Sequence, residues 1–249
     1  MSTENAGTRA ETGGPQGRGG PLQRRLRSLW RLATDASYRH MLRLLWRPQP
    51  GVFQPFNDTQ ANRYPAIFKF VQSRLGAESD LDILSFGCAT GEEVFSLRRY
   101  FPRARIRGLD ANRGSVAIAQ RRLRAAPDAK LSFACATSPG AEPSGGYDAI
   151  FCMAVLRHGG LMAAGVNRCD HLIAFAAFAD AIAELHRCLK PGGLLIVRHS
   201  NFRVSDTSLA SGFETVLRMP LQGAKTPIFG PDNVLIPDAA YPDTVFRKL

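Results

Sequence analysis

The first stretch with residues suited to chemistry is ILSFGCATGEE, which covers residues 83–93. A short apolar run leads into small residues at positions 87, 89 and 91, and Glu92 and Glu93 follow at once. Small residues in a strand-to-helix turn allow the backbone to approach a bound nucleotide closely. Two carboxylates, however, would repel a phosphate group placed at the start of the next helix. The pattern therefore predicts a nucleotide-like ligand without phosphates.

Another carboxylate stands at the end of the next apolar run, IRGLD. Asp110 lies nineteen residues after Gly91, about where an acid can accept hydrogen bonds from both ribose hydroxyls. A P-loop would need Lys and then Ser or Thr after Gly91, and a dinucleotide fingerprint would need glycine in place of Ala89 and Glu92. S-adenosylmethionine has a ribose, a sulfonium and an ammonium group, so we interpret the pattern as its site. Alternatively, the two glutamates only complement the helix dipole.

Two histidines are candidates for a general base. His158 follows the fourth apolar strand in VLRHGG, and His199 ends the fifth in IVRHSN. An imidazole can take a proton from a hydroxyl or amine acceptor near neutral pH. We predict that His158 and His199 are catalytic; the alternative is that each has only a structural role.

Apolar patterns place these motifs on alternating strands and helices. Predicted strands cover residues 81–86, 104–109, 130–135, 147–154 and 193–198, and predicted helices cover 62–75, 92–100, 115–123 and 171–189. Strands buried on both faces that alternate with helices predict an α/β fold with a doubly wound, mostly parallel seven-stranded sheet. Two short C-terminal strands, 226–229 and 244–248, are predicted to pair antiparallel at the sheet edge.

The N-terminal 50 residues differ in composition from the rest. We predict a basic extension over residues 1–50 and one domain over residues 51–249. Residues 1–21 are rich in Gly and Pro and are predicted to be disordered. Residues 22–46 predict a basic amphipathic helix or a pair of helices. This part either packs against its own domain or makes peripheral contact with a membrane.

The net charge of +11 is unevenly distributed along the 249 residues. Residues 1–50 hold nine arginines against three acidic residues, and residues 98–124 hold nine against Asp110 alone. Such regions favour an anionic partner, but residues 101–124 lack the interleaved aromatic residues of nucleic-acid grooves. Nucleic acid is therefore not the favoured partner.

Other classes are excluded by what the sequence lacks. No apolar run reaches the roughly 18 residues of a membrane span, and no apolar leader follows Met1. The five cysteines include no C-x-x-C pair and predict neither a disulfide framework nor a metal site. We therefore predict a cytoplasmic protein.

Four stretches, ILSFGCATG, IRGLDAN, YDAIFCMAVLRH and LHRCLKPGGLLIVRHS, carry a family resemblance. Residues 62–249 resemble the class I S-adenosylmethionine-dependent methyltransferases, for which LKPGG before an apolar strand is a specific feature. The resemblance implies a Rossmann-like methyltransferase fold with S-adenosyl-L-methionine as cofactor. The cofactor-binding residues that it implies are Ser85, Gly87, Ala89, Gly91, Asp110, Ala111, Asn112 and Met153.

The resemblance also implies a role for most of these residues. Gly87, Ala89 and Gly91 would lie along the methionine part, Asp110 would bind the ribose, and Ala111 and Asn112 would flank the adenine. Members of the superfamily commonly have an acid where Ser85 stands, near the ammonium group of the cofactor. In this chain Glu92 is a candidate to replace it.

CATGEEVFSL, YDAIFC and LKPGGLLIVRHS are also similar to motifs of the chemotaxis receptor glutamate methyltransferases. Those enzymes have Arg-Asn after Phe-Cys, where this chain has Met153 and Ala154. The narrower resemblance therefore covers the cofactor half and implies no receptor substrate.

The acceptor is predicted from the segments around the cofactor motifs. No NPP-type tetrapeptide follows the fourth strand, which disfavours an amino-group acceptor. We predict methyl transfer to an oxygen of a small molecule or carbohydrate, with Arg63 or Tyr64 closing the site by similarity to other methyltransferases. The alternatives are an RNA- or protein-directed methyltransferase and a cofactor-binding module without catalysis.

Overall fold

The computed structural model describes residues 21–57, 59–163, 165–220 and 226–249. The helices in these ranges are α1 Pro21–Thr34, α2 Ala36–Trp46, α3 Pro65–Leu75, α4 Glu92–Tyr100, α5 Arg113–Ala125 and α6 Phe175–Cys188. The strands are β1 Asp82–Phe86, β2 Arg105–Asp110, β3 Leu131–Cys135, β4 Tyr147–Met153, β5 Leu189–Arg198, β6 Phe213–Arg218 and β7 Asp243–Lys248. Disorder was predicted for residues 1–21; Pro21 instead begins α1, and the rest of that prediction lies outside the described residues.

The seven strands form one sheet in the order β3-β2-β1-β4-β5-β7-β6. The pairs among β1 to β5 are all parallel, whereas β7 runs antiparallel between β5 and β6. The chain changes direction across the sheet between β1 and β4, and ligands of such sheets bind in the crevice at the carboxyl ends of these strands. The predicted fold, a doubly wound and mostly parallel sheet with an antiparallel C-terminal edge, is confirmed.

Helices cover both faces of the sheet. On one face, α3, α4 and α5 pack side chains such as Phe68, Leu97 and Val116 against the sheet. On the other face, α6 packs Phe178 and Ile182. Alternate residues of each central strand point into these two cores, which explains the continuous apolar runs in the sequence.

The C-terminal edge differs from the prediction in one strand. The expected strand 226–229 is wrong: the strand that pairs with β7 at the edge of the sheet is β6, with Phe213 opposite Lys248 and Arg218 opposite Asp243. Pro227 has no N–H to give to a ladder. Ile228 and Phe229 are buried for another reason, since they pack in the core below α6.

Helix α2 is joined to the domain by polar contacts with α5. The side-chain amide of Asn57 donates to the hydroxyls of Ser37 and Ser115, at 2.6 and 2.5 Å, and these hydroxyls lie 2.8 Å apart. Asn112 caps α5 by accepting from the Ser115 N–H and donates to the Ser37 carbonyl. Of the two predicted arrangements, α2 follows the first and packs on the domain.

No helix in the described ranges is both long enough and apolar enough to cross a membrane.

Candidate active site

A cleft opens at the carboxyl ends of β1 and β4, where the strand order reverses. Its floor is the turn after β1, and its sides are the end of β2, the end of β4 and the segment that precedes α3. The lining residues include Asn57, Gln60, Arg63, Tyr64, Phe68, Gly87, Cys88, Ala89, Glu93, Asp110, Met153, Ala154 and Val155. Four predicted cofactor-binding residues, Gly87, Ala89, Asp110 and Met153, are among them.

The turn after β1 is held against the end of β2. The N–H groups of Gly87 and Cys88 both donate to the Leu109 carbonyl, at 2.8 and 2.9 Å. Gly87 has φ +81, and a Cβ there would lie 2.2 Å from Val155 Cγ2. Only glycine fits this position without a clash, so the turn can lie close to the segment after β4.

Asp110 is fixed by the same turn. One carboxylate oxygen accepts the N–H of Ala89 at 2.8 Å, and the other accepts the N–H of Asn112 at 2.7 Å. Burial raises the pKa of Asp110 above its ordinary value, against the lowering effect of these two hydrogen bonds. Each carboxylate oxygen has a second acceptor site, so Asp110 can still accept two hydroxyl groups from the cleft.

Glu93 supplies a carboxylate that the sequence prediction missed. It lines the cleft from the first turn of α4, and Ser85 Oγ donates to Glu93 Oε1 at 2.7 Å. Burial raises the pKa of Glu93 to about 7, and the bond from Ser85 opposes that rise. Among the described residues no cation pairs with it, and a buried carboxylate of this kind is stabilised by a cationic ligand group.

Glu92, which the sequence analysis named as the candidate acid near the ammonium group, does not line the cleft. Its carboxylate accepts from Thr90 Oγ1 and pairs with Arg122 at 2.7 Å. One feature of the sequence indicates that Glu93, and not Glu92, faces the cleft: Glu93 follows Ser85 by eight residues across a tight turn. Which of two adjacent glutamates faces the cleft depends on the rotation of α4, which the turn geometry sets.

The remaining predicted cofactor residues support the cleft from behind. Ser85 holds Glu93, and Gly91 with φ +92 starts α4. The side chain of Asn112 is 1% exposed and is used up by the cap of α5 and by Ser37. The carbonyl of Ala111 faces the Cys135 thiol. Their predicted contacts with the cofactor stay predictions.

The predicted bases lie outside the lining but contact it. The ring of His199 is 6.0 Å from the ring of Tyr64, and the ring of His158 is 6.0 Å from that of Phe56. His158 Nδ1 accepts the N–H of Gly160 and so caps a short 3-10 helix. Burial lowers the pKa of His158 and lowers that of His199 to about 4; nearby arginines add to the second shift.

The arginine-rich stretch 98–124 is partly neutralised by ion pairs within the protein. Five of its nine arginines form ion pairs: Arg98 with Asp128, Arg103 with Asp80, Arg105 with Asp82, Arg107 with Glu142 and Arg122 with Glu92. Paired arginines offer less charge to a polyanion. The preference against nucleic acid as a partner stays a prediction.

Comparison with known families places the cleft in a class. Residues 84–195, from β1 into β5, match a family model described as a methyltransferase domain. The match includes the turn at Gly87, Asp110 and the end of β4 that form the cleft. Together with the strand order, it identifies the domain as a class I S-adenosylmethionine-dependent methyltransferase domain, whose cofactor is S-adenosylmethionine. The narrower chemotaxis-receptor resemblance stays a prediction.

No curated protein matches the chain. One similar structure is the YcgJ protein of Bacillus subtilis, with 15% identity, 57% of this chain and 53% of that chain covered, and a TM-score of 0.42. A putative S-adenosyl-L-methionine-dependent methyltransferase of Methanococcus maripaludis has 19% identity, 54% of each chain covered and a TM-score of 0.40.

A third similar structure is phosphoethanolamine N-methyltransferase 2 of Haemonchus contortus in complex with S-adenosyl-L-methionine. It has 17% identity, 57% of this chain and 29% of that chain covered, and a TM-score of 0.42. The chain thus spans about half or less of the length of these three structures.

Proposed function

We propose that this protein transfers a methyl group from S-adenosylmethionine to an oxygen atom of a small molecule or carbohydrate. The observation that carries the proposal is the placement of Asp110 and Glu93 in one cleft at the switch point of the sheet. One carboxylate retains acceptor sites for hydroxyl groups, and the other is enclosed without a protein cation among the described residues. A ligand with a ribose and an ammonium group satisfies both.

Each residue of the cleft has a proposed part in holding the cofactor. Asp110 accepts the ribose hydroxyls, and Glu93 faces the ammonium group. Gly87 and Ala89 are small, so their backbone can approach the cofactor closely, and the side chain of Met153 forms an apolar wall. When bound, the cofactor supplies a methyl group already activated by the sulfonium. The protein then has mainly to align the acceptor and exclude water.

The acceptor side is proposed to be the segment that precedes α3. Tyr64 lines the cleft, and its hydroxyl is buried with no hydrogen-bond partner among the described residues. An unpaired buried hydroxyl costs free energy that a polar ligand group recovers. Across the cleft, Met153, Ala154 and Val155 offer no side-chain amide for an amino group. This combination favours an oxygen acceptor that bonds to Tyr64.

His199 is proposed as the group that receives the acceptor proton, because its ring lies beside Tyr64. Its lowered pKa, about 4, keeps the imidazole neutral at pH 7, so a ring nitrogen can accept a proton. The same shift makes it a weak base, which suits an acceptor that needs only partial proton removal. His158 keeps its predicted catalytic role as a second candidate, with Nδ1 already engaged by Gly160.

The proposal is tested by incubating the protein with methyl-labelled S-adenosylmethionine and a panel of metabolites and carbohydrates. We expect label in an O-methyl ether or ester, identified by mass spectrometry and NMR. Asp110→Ala should abolish both cofactor binding and labelling. Labelled nitrogen, or label found only in RNA or protein, would overturn the proposed acceptor. Cofactor binding without labelling of any acceptor would favour a module without catalysis.

A further inference from the structure

Helix α1 has an apolar face that no other described part of the protein covers. Leu26, Leu29 and Trp30 lie on this face and are 58%, 62% and 67% exposed. A surface helix of a globular protein normally turns its apolar stripe towards the core. In α1 the stripe is turned outwards.

The opposite face of α1 is the one that meets α2. Arg31 lies over the ring of Tyr38, 4.2 Å from the ring centroid, and also pairs with Asp35. Arg39 of α2 donates to the carbonyls of Leu32 and Ala33 at the end of α1. The contacts between the two helices are therefore mainly polar, which leaves the apolar stripe for another surface.

The surroundings of this stripe are strongly basic. Residues 21–50 contain seven arginines and a single acidic residue, Asp35. Arg25 and Arg27 are exposed beside the stripe. Trp46, at the end of α2, is 90% exposed. Leucine and tryptophan beside exposed arginines are typical of helices that lie in the headgroup region of an anionic bilayer.

Two other occupants suit the stripe less well. The segment 1–20 contains one large apolar residue, Met1, and so lacks side chains to cover three exposed ones. A second copy of the chain would bring two arginine-rich surfaces together, and these surfaces repel each other. An anionic bilayer satisfies the apolar and the basic groups at once.

We propose that α1 binds the surface of an anionic lipid bilayer, with Leu26, Leu29 and Trp30 among the acyl chains and the arginines at the lipid phosphates. Such a helix lies in the plane of the membrane and does not cross it. The inference concerns where the protein is located and does not depend on methyl transfer. Because Ser37 ties α2 to α5, the helix pair is attached to the domain itself.

Tryptophan fluorescence tests the proposal directly, since the chain has two tryptophans, Trp30 and Trp46. Trp46→Phe leaves Trp30 as the only fluorophore of its kind. Vesicles of phosphatidylcholine with phosphatidylglycerol should shift its emission to the blue and protect it from acrylamide. Vesicles of phosphatidylcholine alone should do so less, and high salt should reverse the effect. Unchanged emission with both vesicle types would overturn the proposal.

A matched pair of substitutions separates apolar insertion from charge. Leu29→Glu and Leu172→Glu change the net charge equally, and Leu172 is also exposed, at 38%, in the turn before α6. We expect Leu29→Glu to lower binding to the anionic vesicles by roughly tenfold or more, because the variant loses the leucine that the proposal places among the acyl chains. Equal losses in both variants would contradict insertion of α1.

Circular dichroism and S-adenosylhomocysteine binding of the same variants show whether the domain is intact. Sedimentation without lipid tests the remaining occupant. A concentration-dependent dimer in which Trp30 is already shielded would assign the stripe to a second copy and overturn the proposal.

Discussion

The hydroxyl of Ser85 donates a 2.7 Å hydrogen bond to the carboxylate of Glu93, eight residues further along the chain. The superfamily resemblance implies an acid at position 85, at the end of β1. In this protein the acid is placed on the first turn of α4, and the hydroxyl at position 85 holds it in the cleft. We propose that Glu93 takes the place of that acid and that Ser85 is its positioning residue.

Glu93→Gln should change how cofactor binding depends on pH. The pKa of Glu93 is raised to about 7, so the carboxyl is partly protonated at neutral pH, whereas an ammonium ligand prefers the ionised form. We expect the affinity of the wild type for S-adenosylhomocysteine to fall by roughly tenfold per pH unit below pH 7, and Glu93→Gln to lose this dependence. Calorimetric titrations from pH 5.5 to 8 measure it.

Glu92→Gln is the matched control, since Glu92 pairs with Arg122 outside the cleft wall. It should keep the pH dependence of the wild type. If Glu93→Gln kept it as well, the ammonium contact would have to be assigned to another group.

The same substitution should alter stability in the absence of cofactor. The folded protein holds the proton of Glu93 up to about pH 7, whereas the ordinary pKa is 4.5. Between these two pKa values the folded state binds more protons than the unfolded state. The contribution of Glu93 to the free energy of unfolding therefore falls as the pH rises from about 4.5 to about 7. Denaturant unfolding at pH 5 and pH 8 should show a smaller decrease for Glu93→Gln than for the wild type.

Asp110→Asn should weaken cofactor binding while the domain stays folded. In the wild type each carboxylate oxygen accepts one backbone N–H, from Ala89 or from Asn112. The asparagine amide keeps only one acceptor oxygen, because an NH2 group replaces the other. We expect a loss of roughly tenfold to a hundredfold in affinity for S-adenosylhomocysteine, because hydrogen bonds to charged groups contribute about 1.5–3 kcal/mol. Unchanged affinity, with an unchanged melting temperature, would remove Asp110 from the proposed site.

Gly87→Ala should destabilise the protein through a single contact. A Cβ at position 87 would lie 2.2 Å from Val155 Cγ2, on a backbone with φ +81. Overpacking and the left-handed backbone together should cost about 2–4 kcal/mol of unfolding free energy. The double variant with Val155→Ala should recover part of this loss, since the clashing methyl group is gone. Equal stabilities of the single and double variants would contradict the proposed contact.

The two histidines should respond differently to alanine. His199→Ala should lower turnover by about 10²–10⁴-fold, as expected for a lost general base, with cofactor affinity unchanged. His158→Ala should lower the unfolding free energy by about 0.5–2 kcal/mol, because the N–H of Gly160 loses its cap. Unchanged turnover in both variants would show that neither acts on the acceptor.

Gly114→Ala should loosen α2 without disturbing the sheet. A Cβ there would lie 2.5 Å from the backbone of Ser37, which α2 cannot avoid without moving. Hydrogen exchange of residues 36–46 should become faster, while exchange in β1 and β4 stays slow. Slow exchange in α2 of the variant would mean that the helix is held by other contacts.

Local patterns predicted most of the sheet and its helices. The helix over residues 92–100 has the predicted bounds, since Gly91 starts it and the apolar spacing sets its buried face. The strand over 226–229 was wrong because burial of Ile228 and Phe229 resembles strand burial in sequence. The observed strand Phe213–Arg218 is a partly exposed edge, and its apolar pattern is correspondingly weak.

The positions of cleft residues could be predicted from the sequence where a single turn sets them. They could not be predicted where segments far apart in the chain meet. Asp110 follows from its position at the end of β2. The role of Glu93 depends on the rotation of α4, which two adjacent glutamates do not reveal. The contact between Ser37 and Ser115 joins residues 78 positions apart, and no local spacing encodes it.

The hydrogen-bonded trio of Asn57, Ser37 and Ser115 has a consequence for any shortened form of the protein. Asn57 belongs to the wall of the cleft, whereas Ser37 belongs to the basic extension over residues 1–50. A chain begun at residue 51 would leave the Asn57 amide and the Ser115 hydroxyl short of a partner at the cofactor end of the domain. We therefore expect deletion of residues 1–50 to disturb both the proposed membrane contact and the proposed cofactor site.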